Sequence, residues 1–189
     1  MPVLRVTIME MPSSVCIFDK ALPGWPGKED VAGSDKSGGL VCSMIMSIVK
    51  LGKEIGQTEP SYLLFDNTAA LLPGAVVGKT GPARNKTALK GFSKQDVKGP
   101  VRVGIKIGKN VGIIVFHDYK RDPEAQVDAF IQQSLEAFEK EFGDIVTGMR
   151  EDFDRIEKSD GKVQLTHDQF CQFSGFDSTL AEIIKSNKL

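Results

Sequence analysis

No stretch of this 189-residue chain approaches eighteen consecutive apolar residues, so no membrane-spanning helix is expected. Cysteine and histidine are scarce too. Cys16, Cys42 and Cys171 are odd in number and widely separated, which suits a reducing compartment better than a disulfide framework. His117 and His167 are the only histidines and no CxxC pair exists, so a metal site would have to be gathered from scattered residues and none is expected. Cys16 and Cys42 each sit inside an apolar run and read as small buried hydrophobes. An excess of charge is also missing: 24 Lys and Arg face 25 Asp and Glu, formally −1. That excludes a chain basic throughout, of the kind that coats nucleic acid, and a uniformly acidic disordered one. The opening MPVLRVTIMEMPSS lacks the layout of a secretory signal, and a cytoplasmic location is expected. With 41% apolar and 26% charged residues, what remains is an ordinary globular chain.

Val3–Met9 (VLRVTIM), continuing to Glu10, reads as a strand, and Val15–Phe18 (VCIF) as a second one joined in an antiparallel hairpin. Ala21–Gly39 is rich in glycine and proline and reads as an exposed loop. Leu40–Ile55 is a helix by the spacing of Leu40, Val41, Met44, Ile45, Ile48, Val49 and Ile55, with Gly56 as its stop. Met44 and Met46 are read as fillers of core gaps. Ser61–Asp66 is a third strand, while Pro73–Pro100 is a long irregular stretch. Val101–Ile107 alternates, the Gly108–Asn110 turn follows, and the nearly all-apolar Val111–His117 belongs in the centre of a sheet. Asp122-Pro123-Glu124 then starts the longest helix, with an apolar stripe from Val127 to Val146 and a solvated face carrying Glu136, Glu139, Lys140 and Asp144. Beyond it, Arg150–Lys158 reads as helical, and Thr179–Glu182 has capping-box spacing before a final helix. The class is α+β: a five-stranded, antiparallel-rich sheet in the order β-β-α-β-β-β-α, flanked by two main helices and followed by a helical C-terminal extension.

Two motifs fail on geometry. Val77-Gly78-Lys79-Thr80 resembles the end of a phosphate loop, but Pro73 stands where the upstream glycine is required and Gly81-Pro82 stops any helix. Around Gly161, a calcium-loop alignment puts Ile156, Lys158 and His167 where oxygen ligands belong, so only Asp160 fits. No cofactor is implied.

Charge distribution is more telling than its sum. Pro73–Pro100 holds Lys79, Arg84, Lys86, Lys90, Lys94 and Lys98 against Asp96 alone, a net +5, whereas Arg121–Asp160 carries twelve acidic and five basic residues, a net −7. The basic stretch, with Phe92 among its lysines, is a candidate for an anionic membrane surface or an acidic protein, against the alternative of a loop that charge merely keeps soluble. One aromatic is too few to stack single-stranded nucleic acid, so nucleic acid is not an expected partner. Trp25, between two prolines, is either a partner-binding anchor or an indole folded back on its own domain.

The order of elements resembles the longin, or SNARE-like, fold of membrane-traffic proteins. The segments that carry the likeness are VLRVTIM, VCIFD, LVCSMIMSIVKLGKEI, SYLLFD, VRVGIKI, VGIIVFHDYKRDP and FIQQSLEAFEKEFGDIV. The nearest flavour is that of sedlin-type subunits of the TRAPP vesicle-tethering complex or of adaptor small chains. The resemblance implies a longin-like domain over residues 1–147, with the basic loop at 73–100, and a helical extension over 148–189. It also implies an interaction module without catalytic residues, so assembly is expected and turnover is not. The expected partners are proteins of a multisubunit complex or a small GTPase, with peripheral attachment to an internal membrane and a homodimer left open. The stretch after Val146 lacks sustained heptads and ends in SNKL, without a prenylation cysteine, which favours a free-standing subunit.

Two rival readings are a profilin- or roadblock-like module for cytoskeletal or motor proteins, and an enzyme built from Cys16, His117 and Asp118. If the basic stretch is a contact surface, changing Lys86, Lys90 and Lys94 to Glu weakens binding to partners or to anionic liposomes. Co-sedimentation with liposomes and affinity capture check this, and unchanged binding in both removes the role.

Overall fold

Val101, Val103 and Ile105 alternate with Arg102, Gly104 and Lys106, and a strand with that period presents each set to a different face of a sheet. The computed structural model describes residues 3–23, 25, 36–56, 60–65, 101–118, 124–159 and 165–189. Its elements are β1 (Val3–Glu10), β2 (Cys16–Ala21), α1 (Lys36–Gly56), β3 (Tyr62–Phe65), β4 (Val101–Ile107), β5 (Val111–Asp118), α2 (Glu124–Gly148), α3 (Arg150–Glu157), α4 (His167–Cys171) and α5 (Phe176–Ser186). The strands form one antiparallel sheet in the order β2-β1-β5-β4-β3. The expected class, α+β with a five-stranded antiparallel sheet, is the one observed. β5, the most apolar strand, lies in the middle as its composition requires.

Two apolar clusters lie on the sheet's two faces. Val6 and Ile8 of β1, with Val111, Ile113 and Val115 of β5, pack against Val127, Phe130, Ile131, Leu135 and Phe138 of α2. On the other face, Ile114 and Phe116 of β5 and Val101, Val103 and Ile105 of β4 pack against Cys42, Ile45, Met46 and Val49 of α1. Cys16 and Cys42 are both buried, as their apolar surroundings foretell.

The C-terminal helices join the first of these clusters through phenylalanines. Phe176, at the start of α5, meets Phe18 of β2 edge-on at 5.3 Å and Phe138 of α2 at 4.9 Å between ring centroids. Phe173 stacks on Phe138 at 5.8 Å. Such rings are worth about 3–5 kcal/mol each when truncated in a core. The same end is tied by Lys20 to Asp177 and by Asn187 to Gln133.

Four local expectations are corrected. α1 begins at Lys36, earlier than Leu40, because Gly38 packs into the structure despite its poor helix propensity. β2 runs to Ala21, beyond Phe18, because pairing with β1 continues to Arg5↔Ala21. The final helix starts at Phe176, and Thr179 lies within it, donating its hydroxyl to Glu141 of α2 at 3.0 Å. The capping box is instead at Thr166 and Gln169, opening α4. Glu139 does not stand free on a solvated face: its Oε1 accepts the backbone N–H groups of Lys109 at 2.6 Å and Asn110 at 3.1 Å, pinning the β4–β5 turn to α2.

At Gly104, β4 lies close against α2. A Cβ there would lie 2.4 Å from Cδ1 of buried Ile131 and 3.1 Å from the Tyr62 ring. Gly104→Ala is therefore expected to cost about 1–3 kcal/mol by overpacking. Adding Ile131→Val removes the obstructing methyl and should restore part of that loss. Urea unfolding of both variants checks the coupling.

Candidate functional site

Helix α1 is apolar on two opposite sides. One side is spent on the sheet through Cys42, Ile45, Met46 and Val49, all buried. The other carries Leu40, Met44, Leu51 and Ile55, which are 72%, 44%, 54% and 77% exposed. At 3.6 residues per turn these four fall within about 50° of one line down the helix. Ser47 and half-buried Ile48 continue that line at its midpoint, while Ser43, Lys50 and Glu54 are exposed along one flank. Met46 fills a core gap as expected, but Met44 does not. The sequence signal was present as a stripe too wide for one buried face, and Leu51 completes it. Four large aliphatics so exposed present roughly 400 Å², the size at which a patch on a monomer is often functional.

The outer face of α2 is chemically different. Asp128, Glu136, Lys140, Glu141 and Asp144 are exposed, and Ile145 is the one large apolar side chain of α2 that reaches solvent appreciably, at 36%. The described surface thus offers an apolar helix on one side of the sheet and a charged one on the other. The sheet's two outer strands differ as well. β3 spans four residues and leaves Leu64 58% exposed, while β2 carries Asp19 and Lys20.

A polar cluster ties β1 to β2 on the α1 side. Arg5, 5% exposed, donates through Nε to Asp19 Oδ1 at 2.7 Å and through its terminal nitrogen to Oδ2, a bidentate pair. Thr7 donates its hydroxyl to the same Oδ1 at 2.8 Å. Trp25 closes the cluster: its ring lies 5.2 Å from the Arg5 guanidinium carbon and meets Phe116 edge-on at 5.3 Å. The indole is half-buried on its own sheet, held there by a cation–π contact and an aromatic pair.

Lys79, Arg84, Lys86, Lys90, Phe92, Lys94 and Lys98 lie outside the described residues. The three residues of the enzyme reading do not converge. Cys16 pairs across from Met9, which itself pairs with Gly112, whereas His117 lies five residues further along β5, opposite Val3. At about 3.4 Å per residue that is ~17 Å of separation along the strand. The faces differ too: His117 alternates to the α2 side with Val115, whereas Cys16 belongs to the α1-side cluster. Asp118 neighbours His117 in sequence and so points to the opposite face. His117 is 2% exposed and meets the Tyr62 ring edge-on at 6.4 Å.

Asp19→Ala leaves the Arg5 guanidinium buried without its bidentate acceptor and is expected to cost about 3 kcal/mol. Trp25 is the chain's single tryptophan, so its emission reports the same event directly. A red shift in native buffer, together with a lower urea midpoint, is the expected result; unchanged emission would detach Trp25 from the cluster. No known protein family, curated protein or solved structure matches the chain.

Proposed function

We propose that this chain is a non-enzymatic protein-interaction subunit of the longin-like kind, acting in vesicle tethering or in the regulation of a small GTPase. The observation that carries this reading is the outer face of α1, four exposed aliphatics on a helix whose other side is already used by the core. A patch of that size is often functional, and the buried centre of a subunit interface is one such use. The described elements run as two strands, a helix, three strands and a helix before the C-terminal helices, an order that supports the longin-like reading over residues 1–147. The separation of Cys16, His117 and Asp118 favours assembly over turnover. No helix among the described residues is long and apolar enough to cross a membrane, and attachment to an internal membrane is peripheral in this reading. The basic residues between Lys79 and Lys98 would supply the electrostatic part of that attachment.

Affinity capture of the tagged full chain, read by mass spectrometry, is expected to recover components of a tethering complex or a small GTPase. A Leu40→Glu, Ile55→Glu chain, altered only at exposed positions, is expected to lose roughly tenfold of that recovery. Equal recovery by the variant, or the absence of any traffic protein or GTPase from the captured set, would overturn the proposal.

A further inference from the structure

The outer stripe of α1 has an internal symmetry. Leu40 and Ile55 are equidistant from a point between Ser47 and Ile48, and so are Met44 and Leu51. A patch that reads the same from both ends is what a two-fold axis perpendicular to the helix requires, because an isologous contact sets residue i against j and j against i. We infer that the occupant of this face is a second copy of the chain, with the two α1 helices packed antiparallel about an axis between Ser47 and Ile48. The inference rests on reading that face as the interaction surface, and it names what covers it.

Laid out on the helix, the pairing is self-consistent. Leu40 meets Ile55 of the other copy, Met44 meets Leu51, and the small Ser47 sits at the crossing, where helix axes approach to about 8–10 Å. By the same two-fold, the flank bearing Ser43, Lys50 and Glu54 falls beside the same flank of the other copy, which sets each Glu54 next to the other copy's Ser43 and offsets the two Lys50 side chains by about 7–8 Å along the helix axes. The polar flank then forms the rim and the aliphatics the centre, the usual anatomy of an interface. Area sets the strength. Two stripes of roughly 400 Å² bury about 800 Å² in total, below the ~1,200 Å² of standard stable interfaces. The dimer is therefore a weak, concentration-dependent one.

Sedimentation velocity on the purified full chain, from roughly 5 to 500 µM, is expected to show the mass rising from 20.6 kDa toward twice that value. Leu51→Glu, at an exposed position, is expected to weaken association roughly 100-fold. Register is read separately in a Cys171→Ser background, which leaves Cys16 and Cys42 buried. Met44→Cys and Leu51→Cys chains are mixed under mild oxidation, and the antiparallel pairing predicts the mixed disulfide in excess over either homodisulfide. A monomer throughout the range, a Leu51→Glu chain that still dimerises, or homodisulfides in excess would each overturn the inference. A monomer that nevertheless captures traffic partners through α1 leaves the proposed function standing and removes only the second copy; a dimer that captures none does the reverse.

Discussion

Burial of the central strands on both faces is the constraint that organises this molecule. Every residue of β1 is buried, and β5 is buried from Val111 to His117. A sheet whose middle is apolar on both sides cannot leave either side to water, so it demands two helical layers. α2 with the C-terminal helices supplies one layer and α1 the other. The layers are unequal: one is thickened by Phe173, Phe176 and Leu180, while the other is a single helix with nothing described outside it. The apolar outer stripe of α1 stands on that thinner layer.

Two charged groups buried inside this frame, Glu10 and Arg5, are matched in place. Glu10, fully buried at the end of β1, is held by Arg150 of α3 and by the Ser13 hydroxyl, and its Oε2 also accepts the Ser13 backbone N–H at 3.1 Å. Arg5 and Asp19 neutralise each other on the opposite face of the same hairpin. Carboxylates so enclosed stabilise only when their acceptors are filled: Glu10 by distant Arg150 and by nearby Ser13, Asp19 by Arg5 and Thr7 from the neighbouring strand. The hairpin is therefore fastened on one face to α3 and on the other to the ring of Trp25.

Most of the fold was legible because it is periodic. The alternation of Val101, Val103 and Ile105 gives β4, the run from Val111 gives a central strand, and the stripe from Val127 to Val146 gives α2. What was hidden depends on contacts between distant residues. Nothing local marks Glu139 as the acceptor for a turn thirty residues earlier, and nothing near Thr179 says that its hydroxyl belongs to Glu141 rather than to a helix cap. The candidate surface was half legible: the breadth of the α1 stripe is in the sequence, but which side the sheet takes is set by packing, so Met44 and Met46, two residues apart, have opposite fates. The basic residues from Lys79 to Lys98 were legible as a charge run, and a charge run alone does not say what it meets.

The ring of Phe18 rests against that of Phe176, 158 residues later in the chain. A ribosome adding about 5–20 residues per second takes on the order of 10–30 s to cover that span. Throughout that interval the N-terminal hairpin has been made but lacks the last of its cover, the ring that rests on Phe18. The nascent protein thus carries a timed vulnerability at its own first strands, and shortening it would require moving an aromatic, not strengthening the sheet.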